Sequence, residues 1–183
     1  MKQHFFVVAL VLAFVSGCAT NIHPTVASNP PPTRALNTFG GFEIRPITVA
    51  DGVEEPDAVA KIRNVCAERI NALISGWNRG TGDTLVIEPR IHELKFVSGA
   101  NRVLAGAMAG SSAVRITAKL SDKSSGAVIA EPEFYQRAAA WGAAYTYGAQ
   151  DNDMLKRICT VAEDYLRRNY AQAVGGPTGS VPE

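Results

Sequence analysis

Three cysteines carry most of the reactive chemistry in this chain, and their settings differ. Cys18 stands at the end of an apolar run, directly after Val15-Ser16-Gly17, where a thiol can act as the nucleophile toward a lipid donor. Cys66 and Cys159 instead recur in step with apolar neighbours at three- and four-residue intervals, the pattern of a buried helical stripe. If those two helices are neighbours, a bridge between the thiols would persist in an oxidising compartment. Closing so long a loop would stabilise by roughly 4 to 5 kcal/mol in the chain-entropy model. The other reading is two unpaired, buried cysteines serving as small apolar fillers. A redox-active role is disfavoured, because the chain holds no Cys-x-x-Cys and neither cysteine opens a helix, where its pKa would fall.

The inventory for catalysis is poor. Beyond the amino-terminal stretch the only histidine is His92, in a predicted strand, so no nucleophile, histidine and acid can be set together from spacing. Glu88, Glu93, Glu131 and Glu133 would suit acid–base work as a pair, but carboxylates at strand spacing usually mark a wet sheet face. Asp151-Asn152-Asp153 lacks the glycine and the later glutamate of a calcium loop, and helix capping explains it better. His23 has no second ligand nearby. No enzymatic activity, metal or cofactor is expected.

The amino terminus has the build of a secretory leader over residues 1–17: Lys2, eleven apolar residues from Phe5 to Val15, then Ser16 and Gly17. About 20 apolar residues are needed to cross a bilayer, so this run is too short to remain as a span. Val15-Ser16-Gly17-Cys18 resembles a lipobox, in which small residues fit a membrane-embedded peptidase and the cysteine is acylated before cleavage. Several acyl chains anchor firmly, since each buried methylene adds about 0.8 kcal/mol. By resemblance to Gram-negative lipoproteins, Ala19 rather than aspartate after the cysteine implies sorting to the outer membrane, with the domain facing the periplasm. Residues 18–38 are polar and turn-rich around Pro30-Pro31-Pro32 and read as a flexible tether that lifts the domain off the bilayer.

Two segments suit an interaction surface. Gly99 to Ser112 is apolar and glycine-spaced, with Arg102 its one charge and Leu104 and Met108 its larger side chains. Gly106 and Gly110 permit close backbone approach, and no Gly-Lys-Ser/Thr follows to make a phosphate loop. Exposed apolar patches of this kind are usually avoided or used, so the segment either tucks over the sheet, meets a partner or a second copy, or touches membrane. The second segment, Trp141 to Gly148, carries Trp141, Tyr145 and Tyr147, aromatics with polar tips that suit interfaces or cap the edge of a core.

The elements that must position these residues follow from periodicity. Phe42 to Thr48 alternates as a strand. Asp57 stands where a cap belongs, before a helix with the stripe Val59, Ile62, Cys66, Ile70, Leu73 and Trp77. Leu85 to Phe96 predicts a long strand with a bulge near His92-Glu93. Val114 to Ser121 is the cleanest strand, and Asp122 to Gly126 turns it into a partner over residues 127 to 136. Asp151 or Asn152 caps a last helix with the stripe Leu155, Ile158, Cys159, Ala162, Tyr165 and Leu166. The expectation is an α+β, two-layer domain over residues 39–173: one mixed or antiparallel sheet of about four strands, two helices on one face, order β-α-β-β-β-α, and a disordered tail at 174–183.

An apolar fraction of 46% supports one ordinary core, and the formal charge of +1 falls to zero once Lys2 is removed with the leader. No basic stripe points to nucleic acid. Leu85-Val86-Ile87, Asn101-Arg102 leading into Gly106-Ala107-Met108-Ala109-Gly110, Val128-Ile129-Ala130-Glu131-Pro132-Glu133-Phe134-Tyr135, Asp151-Asn152-Asp153-Met154-Leu155 and Arg168-Asn169-Tyr170 together resemble an uncharacterised bacterial lipoprotein domain. Such domains are similar in layout to envelope modules that activate cell-wall synthases and to the amino-terminal domain of TolB. The resemblance implies a binding module without naming its ligand, and it brings no catalytic residues. With the anchor and the two segments, the expected function is to bind another envelope protein; the alternatives are a self-assembling accessory lipoprotein of an export or secretion apparatus and, least favoured, a hydrolase.

Overall fold

A computed structural model describes residues 21–97, 111–138 and 149–179. In chain order the elements are β1 (Ser28–Asn29), a 3-10 turn (Leu36–Thr38), β2 (Gly41–Ile44), β3 (Thr48–Val49), α1 (Pro56–Ser75), β4 (Thr84–Lys95), β5 (Ala113–Asp122), β6 (Val128–Ala130), β7 (Glu133–Arg137), α2 (Ala149–Ala171) and β8 (Gly176–Pro177). A six-stranded sheet is centred on β4 and β5, which pair antiparallel; β2 and β3 lie parallel to β4, and β6 and β7 lie antiparallel to β5. The sheet is therefore mixed, with six strands rather than about four.

Prolines account for the difference. The strand expected at Phe42 to Thr48 is split around Pro46, and the arm expected at 127 to 136 is split at Glu131-Pro132. Proline lacks the N–H that a ladder needs. Pro89, inside β4, shows the same logic across the sheet. Ala118, its partner on β5, donates its N–H the other way, to Pro132. Pro89 thus faces the stretch between β2, which ends opposite Ile87, and β3, which begins opposite Arg90. The missing donor falls where no strand asks for it. The register of β4 against β5 shifts between Ile91 and Glu93, the bulge expected near His92-Glu93.

One sheet face carries Leu85, Ile87, Ile91, Val114, Ile116, Leu120 and Phe134, and the stripes of both helices pack on it in one core. Val59, Ile62, Cys66, Ile70 and Leu73 are buried on α1; Met154, Leu155, Ile158, Cys159, Tyr165 and Leu166 are buried on α2. Trp77 falls just past α1, stacked on Tyr170 at 4.2 Å. Cys66 and Cys159 are joined by a disulfide with a Cα–Cα separation of 4.9 Å, so the staple links the two helices directly. The caps differ from expectation. Glu55 is the N-cap of α1, with Pro56 first in the helix and Asp57 in its first turn. α2 starts at Ala149, which puts Asp151 inside its first turn.

The expected tether and tail need correction where they are described. From Ile22 onward the chain is held against the domain: Leu36 is fully buried, Pro32 is buried, and Asn29 is buried at the outer edge of β7. Full burial of a leucine stabilises by about 1.5 to 3 kcal/mol, which a free tether would forgo. Arg34 lies over the Phe39 ring at 4.0 Å and pairs with Asp122 at 2.7 Å. Residues 174–179 are likewise ordered by contact. Asn169 accepts the N–H groups of Val174 and Gly175, β8 pairs with β1, and Thr178 is buried. The domain therefore begins well before residue 39 and continues beyond 173.

Candidate interaction end of the domain

Cys18 lies outside the described residues, and so do Arg102, Leu104, Gly106, Met108, Gly110, Trp141, Tyr145 and Tyr147. The roots of both segments are described, and they converge. Lys95 at the end of β4 pairs with Ala113 at the start of β5, and Ala113 pairs with Arg137 at the end of β7. Val97 and Ser111, which flank the first segment, and Ala138 and Ala149, which flank the second, border this end.

Ser112 ties these points together. Its hydroxyl oxygen accepts the Val97 N–H at 2.8 Å, its carbonyl accepts the Ala138 N–H at 2.9 Å, and its hydroxyl donates to the Asp151 carboxylate at 2.5 Å. Ser112 and Asp151 are fully buried. A carboxylate in the first turn of α2 also meets the positive end of the helix dipole. Beside this knot the Arg137 guanidinium donates to the fully buried Ser111 hydroxyl at 3.0 Å, and Lys61 of α1 donates to Asn152 of α2 at 2.6 Å. A single serine thus fixes three strand ends and a helix start, a frame for whatever the two segments present. Sequence reasoning saw Asp151 only as a cap and passed over Ser112, because a serine beside a glycine-rich stretch looks like a turn residue.

A second polar cluster occupies the sheet face away from the helices. Arg115 bridges two carboxylates, Glu93 at 2.8 Å and Glu133 at 3.3 Å. Glu133 is almost fully buried and accepts both the N–H and the hydroxyl of Thr25, at 2.6 Å each. His92 Nε2 lies 2.8 Å from the Thr117 hydroxyl. Burial, and then the Arg115 and Arg90 guanidiniums, hold the imidazole below its ordinary range, against the opposing pull of Glu133 and Glu93. A hydroxyl beside an imidazole is the start of a nucleophilic pair, but neither the core cavity under the helices nor the grooves beside α1 and α2 include it. Burial pushes the Tyr135 phenol up, and its O–H donates to the carbonyl of Ile22 at 3.1 Å. The carboxylates read as a wet face are thus partly a clamp for the amino-terminal segment.

Among the described residues no group of three or more His, Cys, Asp or Glu side chains is placed to hold a metal ion. No described helix is long and apolar enough to cross a membrane.

No family model matches the chain, and no curated protein matches it. Solved structures of similar layout include the PelC dodecamer from Paraburkholderia phytofirmans, 18% identical, covering 74% of this chain and 96% of that one, with a TM-score of 0.43. Protein XCC0632 from Xanthomonas campestris, of family model DUF330, is 13% identical over 75% of this chain and 88% of that one, with a TM-score of 0.44. The hypothetical protein CT253 from Chlamydia trachomatis is 11% identical over 72% of this chain and 99% of that one, with a TM-score of 0.37. Likeness at this level assigns neither family nor function.

Proposed function

We propose that the protein is a lipid-anchored envelope module, acylated at Cys18, that works without catalysis by presenting segments 102–110 and 141–148 together to another envelope protein. The observation that carries the reading is the convergence of their roots on Ser112: two segments remote in sequence share one frame at one end of the sheet. The small apolar and aromatic side chains of the two segments supply the contact chemistry. The disulfide between Cys66 and Cys159 fits an oxidising compartment such as the periplasm. Ala19 after the cysteine favours the outer membrane.

The test replaces Gly106 and Gly110 by leucine in the full chain, with circular dichroism to verify the fold. Loss of the partner that co-purifies with the wild type, from a domain that stays folded, is the expected result. An unchanged set of associated proteins would sink the assignment of this end. If the wild type instead carries only further copies of itself and the variant is monomeric, the interface is a self-association one.

A further inference from the structure

The amino-terminal segment is fastened at several points between Ile22 and Asn29. Asn29 imitates a neighbouring strand, its side chain donating to the Glu133 carbonyl at 2.8 Å and accepting the Glu133 N–H at 2.7 Å. Thr178 donates to the carbonyls of Val26 and Ala27, Thr25 is held by Glu133, and Ile22 by the Tyr135 hydroxyl. Behind the strap the backbone packs closely. A Cβ on Gly175 would lie 2.4 Å from the Asn29 carbonyl oxygen, and one on Gly179 would lie 1.9 Å from that of Tyr135.

The strap also has a direction. Followed back toward the amino terminus, its partners run from Ile129, which accepts the Thr33 N–H, through Glu133 to Tyr135. That course leads toward the end of the sheet where Lys95, Ala113 and Arg137 meet, the end that carries the roots of both candidate segments. Cys18 stands four residues before Ile22, so it can lie at most about 14 Å from it. The ten residues of β5 separate the two ends of the sheet by about 30 Å at a strand's rise.

We infer that the strap over Ile22 to Asn29 is a rigid mount that holds the domain on a lipid surface, with the Lys95–Arg137 end toward the bilayer and the Asp122–Gly126 turn away from it. The inference rests on acylation of Cys18 and adds an orientation to it. A partner engaged by that end must itself lie in or on the membrane.

The test uses the full acylated chain in vesicles of phosphatidylethanolamine and phosphatidylglycerol that contain an acceptor-labelled lipid. A donor dye is attached to a cysteine introduced by Lys95→Cys in one protein and Ser125→Cys in another. Energy transfer to the bilayer should be several-fold greater from position 95, and the contrast should shrink when Asn29→Ala together with Glu133→Ala removes the main fastenings of the strap. Equal transfer from the two positions, or greater transfer from 125, in protein whose intact mass includes the lipid overturns the mount. An intact mass without lipid overturns the reading of Cys18 itself, and the mount falls with it.

Discussion

At the edge of β7 a single side chain does the work of a strand. Asn29 closes both backbone groups of Glu133 where the sheet would otherwise end on open hydrogen-bonding positions. Replacing it by alanine leaves those buried groups unpaired, so Asn29→Ala should cost about 1 to 3 kcal/mol in denaturant unfolding and expose the segment 22–30 to proteolysis. Two titrations belong to this scale as well. His92 has its folded-state pKa lowered, so the fold prefers the neutral ring; its contribution is complete above the unfolded value and falls away as pH drops through the folded one. Proton NMR of the ring should show a midpoint below that of a free imidazole. Asp122 is held down to about 2 by hydrogen bonds from the side chain of Ser124 and the backbone of Ser125, with Arg34 adding attraction. The help it gives the turn is therefore full above about pH 4 and is lost as pH falls toward 2. None of these partners was legible in the sequence. An asparagine before three prolines and a serine beside glycines look like turn residues, and their bonds cross 104 residues for Asn29 and 39 for Ser112.

Elements were more legible, because periodicity is local. The stripes of α1 and α2 are continuous enough to be read directly, and both place a cysteine on the buried face. Whether those cysteines meet depends on how the helices sit against each other, which no local pattern encodes. The disulfide closes a separation of 93 residues, so Cys66→Ala with Cys159→Ala should lower stability by up to about 4 to 5 kcal/mol while leaving the far-ultraviolet spectrum unchanged. Strand breaks at Pro46 and Pro132 were readable in principle, since proline is a known interruption, yet alternation continued through both and masked them. Beneath the helices an apolar cavity of about 30 Å³ is lined by Ile87, Ile116, Ala118, Phe134, Ile158 and Ala162. Ala118→Val should fill part of it and raise stability by about 0.5 to 1 kcal/mol, seen as a higher denaturation midpoint with an unchanged slope.

For the whole molecule, the largest departure from a sequence reading concerns where the domain starts. Polar composition and consecutive prolines describe a tether, but Asn29, Pro32 and Leu36 are buried residues placed within that composition. Three anchors spread over a polar stretch are invisible to a window that averages. A chain beginning at residue 39 should therefore lose its cooperative transition, and Leu36→Ala alone should cost about 2 to 5 kcal/mol. The consequence for function is geometric. On the proposed acylation of Cys18, a free tether would let the domain take any orientation, whereas a docked one fixes which end meets the membrane. The frame around Ser112 and the course of the strap point to the same end, through separate sets of hydrogen bonds.

Photo-crosslinking in living cells decides whether this end meets a partner, with the probe at Lys95 or Asp153 near the candidate end and at Ser125 on the far turn. Protein adducts are expected from the first two positions, few from the third, and none when Cys18→Ser removes the acylation site. Adducts of equal strength from Ser125, or adducts that persist without the cysteine, would contradict that expectation.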